Sequence, residues 1–441
     1  MSIKVICRFL TCFSILVFEV LLTACNRSLT EKKSSIYSPT VSKSKIIHTQ
    51  NIYPPKKPEQ KITHSPFPTS SPTTSPNIND EQQFQLVKEI PQSAIMDIFA
   101  APSGEIWLAS NVGIYRFMKP SWELMLEASA DEILGLDSRG RLWALIESGS
   151  RIAVHKDNGW EFYGPSQGWN VIEGFQYLYP GFGDGLASGP DNDVWLATGF
   201  DELRHFDNST SSWQSLTAEE IGFPVIEEDF YQGHYLTDVL TASDGSIYAS
   251  CCTGEGEGFG GFGIRRYANK AWQWVYPSNH DCIMDMEIDS QGRIWAGAFD
   301  KLLLIDSNHK VTKVPLPNYD RPQVVLELEL DPAGDPWVLV QKYGGGSIDG
   351  GQLLYQFHNN NWILHYEPDF LRSLDLAFTS DQSVWFCATG GLFKSNETGL
   401  TFIPSPVVSL PCQLEVDTFN RVWVAVQEYG DTGLWVLQPP N

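Results

Sequence analysis

The chain has 441 residues, 42% of them hydrophobic and 12% aromatic, enough to bury a sizeable core. Its formal net charge of −23 argues against nucleic acid as a partner, because a phosphate backbone would be repelled. Eight cysteines in such a length are too few for a disulfide-built scaffold.

The first 25 residues read as a secretory signal. Lys4 and Arg8 precede an apolar run from Phe9 to Ala24, broken only by Glu19. That run is shorter than the roughly 20 residues of a membrane-spanning helix. It ends in Leu22-Thr23-Ala24-Cys25, which resembles the lipobox of bacterial lipoproteins. The resemblance implies cleavage before Cys25, a diacylglyceryl thioether on its sulfur and anchorage in membrane lipid. The residue after Cys25 is Asn26 rather than aspartate, so in a Gram-negative cell the outer membrane is the expected address.

Residues 26–83 are rich in Ser, Thr, Pro and Lys and carry eight Lys/Arg against four Asp/Glu. A stretch such as Ser65-Pro66-Phe67-Pro68-Thr69 cannot bury a core, and a disordered tether is expected. Its basic character suits anionic lipid. The remainder, residues 84–441, is more acidic than the chain as a whole.

Within 84–441 one pattern recurs eight times, a tight turn followed by a strand with one aromatic. The aromatics are Trp107, Trp143, Trp195, Tyr248, Trp295, Trp337, Trp385 and Trp423, spaced 36 to 53 residues apart. Short strands at such a period predict a β-propeller. Each repeat reads as four strands. An apolar strand leads to a turn with Asp first and Gly fourth, as in Asp137-Ser138-Arg139-Gly140. The aromatic strand and a third strand follow, and the fourth often opens on a second Trp such as Trp122 or Trp213. Stacking of these rings between blades is expected. The last repeat lacks a fourth strand, whereas Phe84–Ile90 is a spare one ahead of the first repeat. An all-β, eight-bladed propeller closed by that N-terminal strand is therefore predicted, with seven blades as the alternative, and a monomer is expected.

Gly292-Arg293-Ile294-Trp295-Ala296-Gly297 and Gly390-Gly391-Leu392-Phe393 carry a resemblance to the two-component-regulator propeller repeat. The resemblance covers residues 84–438 through short motifs. It implies an extracytoplasmic ligand-sensing module. The repeats also look like those of streptogramin-lyase-type propellers, whose metal site and catalytic histidines have no matching motif here.

The turns between first and second strands are all short. Insertions fall between second and third strands (251–263, 341–351, 427–432) and between blades (164–183, 217–235), which places them on one face. On that elaborated face Trp169, Tyr177, Tyr231, Tyr343 and Tyr429 stand beside carboxylates, a combination that suits carbohydrate or a cationic small molecule; a protein partner is a further reading, and anchoring of the loops is the structural alternative. Ten residues before the repeat aromatic stand Asp97, Asp238, Asp285, Glu327 and Asp375, at one level of the inner strands. Such a ring either meets a cation, for which calcium with Asp238 and Asp285 is the candidate, or hydrogen-bonds backbone N–H groups of the next blade. His234 and His280 precede the inner strands of blades 4 and 5 and, with Asp238, Asp281 and Asp285, are the weak candidates for acid/base chemistry. The Gly-rich run Gly254–Gly261 reads as a flexible loop rather than a phosphate cradle, since two Glu interrupt it. Outside the cytoplasm, disulfides Cys387–Cys412 and Cys252–Cys282, or Cys251–Cys282, are expected.

Overall fold

Asp137 shows why each repeat folds as it does. Its Oδ1 accepts the backbone N–H groups of Arg139 and Arg141, and its Oδ2 accepts Arg141 Nε at 2.6 Å and the indole N–H of Trp143 at 2.8 Å. One side chain thus closes the turn, fixes the cation above the ring and orients the Trp. Gly140 completes the turn at φ 71°, a conformation that costs an L side chain energy. Asp417 repeats all four contacts with Phe419, Arg421 and Trp423, and Asp289 and Asp331 repeat most of them.

Each such unit grows into a four-stranded antiparallel sheet. The computed structural model describes Thr63–His64 and most of residues 84–437; besides single positions and short breaks, 171–185, 226–232, 343–351, 368–374, 404–411 and 427–432 lie outside the described residues. Blade 1 comprises Ile95–Ala100, Ile106–Ser110, Ile114–Met118 and Ser121–Leu126. Blades 2 to 7 begin at Ala130, Leu186, His234, Met286, Gln323 and Leu376. Blade 8 comprises Cys412–Val416, Val422–Val426 and Gly433–Leu437, and its fourth strand is Gln85–Leu86. Gln85 pairs with Val436 and Leu86 with Trp435. The ring therefore has eight blades and is closed by its N-terminal strand, which leaves no blade short of an edge.

The rings interlock from blade to blade. Trp143 of blade 2 meets Trp213 of blade 3 edge-on at 5.7 Å. Trp195 meets Trp272 of blade 4 at 5.9 Å, and Trp423 of blade 8 meets Trp122 of blade 1 at 5.9 Å. Burying such an indole is worth about 4–6 kcal/mol before entropy is subtracted.

Two segments differ from the sequence reading. Thr63–His64, inside the stretch read as a tether, pairs in parallel with Ile363 and Leu364 on the outer strand of blade 6. Low hydrophobicity gave no signal for an edge strand, whose backbone pairing does not need apolar residues. The Gly-rich run of blade 4 is a hairpin rather than a loop: Ile247–Glu255 pairs with Gly258–Ala268 out to Glu255 opposite Gly258. Its glycines answer a packing need. A Cβ on Gly261 would lie 2.2 Å from the Asp281 carbonyl, because the connection to blade 5 crosses directly over the hairpin.

That crossing carries the disulfide Cys252–Cys282. Cys251 is a buried free thiol, which decides between the two pairings expected for Cys282. Cys387 is disulfide-bonded, and the side chain of its expected partner Cys412 lies outside the described residues.

Candidate functional site

Three of the five carboxylates at the head of the inner strands act as ties between blades. Asp97 Oδ2 accepts Ile133 N–H of blade 2 at 2.8 Å, and its Oδ1 accepts Gln413 Nε2 of blade 8 at 2.9 Å. Asp285 Oδ2 accepts Leu328 N–H of blade 6 at 2.8 Å, and Asp375 Oδ2 accepts Leu414 N–H of blade 8 at 2.7 Å. Asp238 is buried and accepts its neighbour's Val239 N–H, while Glu327 is half-buried on the inner strand of blade 6. Among the described residues, no three His, Cys, Asp or Glu side chains gather closely enough to hold a metal ion.

The two histidines occupy different settings. His234 is 6% exposed, with Nε2 2.8 Å from the Pro224 carbonyl and Nδ1 3.2 Å from Asp201 Oδ1. Acceptors face both ring nitrogens, a setting that favours the protonated ring, in which both donate. Burial alone would lower its pKa. The hydrogen bonds to Asp201 and Pro224 outweigh that and raise it above the ordinary histidine value. His280 is exposed, and its backbone N–H donates to Ser278 Oγ.

Asp281, next to His280 in the chain, is a structural node. Its Oδ2 accepts the Tyr276 hydroxyl at 2.5 Å and Ser278 Oγ at 3.0 Å, and its Oδ1 accepts Lys301 Nζ at 2.6 Å. Burial opposes the charge, yet these donors hold its pKa below the usual carboxylate value. His234, Asp238, Asp281 and Asp285 are thus each engaged with different partners.

Trp169 is buried at 1% exposure instead of facing ligand. It packs edge-on against Trp213 at 4.9 Å and donates its indole N–H to the Gly149 carbonyl. The ring pins the start of a long connection to the blades. The other aromatic candidates, Tyr177, Tyr231, Tyr343 and Tyr429, lie outside the described residues, as does Cys25.

Sequence reading missed a set of buried and half-buried basic side chains on the same face. Arg204, under the Trp169 ring, donates to the Asn170 carbonyl at 3.0 Å and pairs with Glu202 at 2.5 Å. Lys301 pairs with Asp281, and Lys342 with Glu367 at 3.1 Å. With His234 and Asp201, they place four ion pairs at the elaborated ends of blades 3 to 6. No sequence periodicity marks them, because three of the four pairs join residues of different strands or connections, and only Arg204 and Glu202 share a strand.

The opposite face is stitched by its turns. Ser138 N–H donates to Ser188 Oγ between blades 2 and 3, and Ser380 N–H donates to Asn420 Oδ1 between blades 7 and 8. That face is compact, short-looped and tied together by hydrogen bonds between neighbouring turns.

No protein-family profile and no curated protein sequence matches the chain. Solved propellers do. The Dos1 propeller is similar at TM-score 0.51 and 10% identity, over 81% of this chain and 96% of that one. A streptogramin B lyase follows at TM-score 0.43 and 12% identity, over 81% of this chain and 97% of that one. The extracellular domain of a putative one-component system, BT4673 from B. thetaiotaomicron, is 15% identical at TM-score 0.39, over 78% of this chain and 52% of that one. At these identities the likeness concerns the fold alone. Both kinds of propeller anticipated from the repeats are among these structures.

Proposed function

We propose that this chain is an extracytoplasmic ligand-recognition module, a sensor or interaction component tethered to lipid through Cys25. Its ligand, foremost a carbohydrate, meets the elaborated face. The observation that carries this reading is the asymmetry of the two faces. One face spends its polar groups on turn-to-turn ties. The other concentrates long connections and four ion pairs at blades 3 to 6. Buried or half-buried pairs add little net stability, because desolvation offsets attraction. The opposite face has ion pairs too, but Asp137–Arg141, Asp289–Arg293 and Asp417–Arg421 each close a single turn. Three of the four pairs on the elaborated face instead join separate segments beside long connections, which fits recognition better than turn closure. Polar groups fixed beside aromatic rings are what a sugar's alternating hydroxyl and C–H surface requires.

Two experiments test the proposal. Glycan-array binding by the purified chain should give a defined specificity that Lys301→Ala weakens. A chain that folds yet binds no glycan would refute the carbohydrate reading. In cell fractionation, Cys25→Ser should move the protein out of the detergent-extracted membrane fraction. An unchanged distribution would refute the lipid anchor.

A further inference from the structure

Arg265 has no carboxylate partner among the described residues. Seven other arginines among the described residues lie within ion-pair distance of Asp or Glu. Arg139, which is exposed, reaches Asn208 Oδ1. Arg265 is 9% exposed, and its Nε is buried with no hydrogen-bond partner. Its one hydrogen bond is a long one, Nη2 to the Trp272 carbonyl at 3.5 Å. In a chain of net charge −23, a buried cation left without a counter-charge is the exception.

The surroundings of this guanidinium are built around it. Arg265 is the cross-strand partner of Trp274, and a register shift at Ile264/Arg265 sets the two opposite each other. Such a bulge re-aims a side chain that regular pairing would place elsewhere. The guanidinium lies over the Trp274 ring, 4.4 Å from its centre. Phe223 meets that ring edge-on at 5.5 Å. Gly222, at φ +92°, lets the backbone run against the guanidinium; a Cβ there would come within 2.2 Å of Nη2. Trp274 is 40% exposed, the one exposed tryptophan among the described residues. Phe223 and Gly222 belong to the 217–235 insertion, so the arrangement lies where blade 3 hands over to blade 4.

We propose that Arg265 and Trp274 form a binding site for an acidic sugar, a pyranose ring bearing a carboxylate. The Trp274 ring stacks against the C–H face of the sugar, and the Arg265 guanidinium donates to the carboxylate. The ligand supplies the missing counter-charge. This rests on the carbohydrate reading above and narrows it to uronic acids.

The test is calorimetry on the full chain with α-1,4-linked trigalacturonate and with its neutral methyl ester. The wild type should bind the acid at least tenfold more tightly than the ester. Arg265→Gln should erase that preference while leaving the thermal midpoint unlowered, since it removes an unpaired buried cation. Arg265→Lys should recover only part of it, lacking the planar fork. Trp274→Ala, a substitution at a surface ring, should weaken both ligands. Equal binding of acid and ester by the wild type, or a preference that survives Arg265→Gln, would overturn the assignment. So would binding of neutral glycans alone, although the carbohydrate reading would then stand. Failure of both ligands, with no other glycan captured on an array, would remove both proposals.

Discussion

Replacing Asp417 by Ala should cost far more than replacing an exposed turn aspartate of similar backbone geometry. Asp417 is 3% exposed. Its Oδ1 accepts the N–H groups of Phe419 and Arg421, and its Oδ2 accepts Arg421 Nε at 2.5 Å and Trp423 Nε1 at 2.9 Å. The substitution leaves a buried guanidinium without its counter-charge and a buried indole N–H without an acceptor. Breaking a buried pair from one side costs about 3–5 kcal/mol, and an unsatisfied buried donor about 1–3 kcal/mol. These effects overlap, so about 4 kcal/mol is expected for the whole. Asp306 is the control. It makes the same two turn contacts, to Asn308 and Lys310 N–H, at an exposed turn. Asp306→Ala should cost about 1 kcal/mol. Urea unfolding followed by Trp fluorescence measures both. Equal losses would show that Asp417 acts only as a turn residue and would refute the coupling of turn, cation and ring.

Three further expectations are open to measurement. His234 has a raised pKa, so its contribution is complete below the unfolded value and lost as pH rises through the folded one. The stability gap between wild type and His234→Gln should therefore shrink from pH 5.5 to pH 9, and a gap that grows would contradict the raised pKa. Reducing Cys252–Cys282, which are 30 residues apart, should lower stability by about 3–4 kcal/mol on chain-entropy grounds, read as a drop in urea midpoint; no change would mean the crossing over blade 4 holds without it. Millimolar calcium should leave the thermal midpoint unchanged, because Asp97, Asp285 and Asp375 already accept backbone N–H groups. A rise abolished by Asp285→Asn would instead make the ring a cation site.

The architecture was legible because its signals are local and repeated. Gly140, Gly292 and the aromatics after them recur at blade period, and the spare strand at Phe84 could complete only a blade that lacked one. The carboxylates at Asp97, Asp285 and Asp375 were visible at one level, and the structure supplies what they bind. Trp169 looked like a ligand-facing ring because nothing in a loop sequence tells a ring turned inward from one turned outward. Arg265 and Trp274 were not legible at all. Their meeting depends on one bulge in the pairing of two strands, and a bulge leaves no mark in hydrophobic alternation.

The central claim is that ligand is met on the elaborated face at blades 3 to 6. Hydrogen exchange of the full chain, with and without the tightest glycan found on an array, tests it most directly. The account predicts slowed exchange at Thr217–Pro224 and Ser278–Asp285, with none at the turns Ser138–Gly140 and Ser380–Gln382. Slowed exchange confined to those turns would place the ligand on the opposite face and contradict the account.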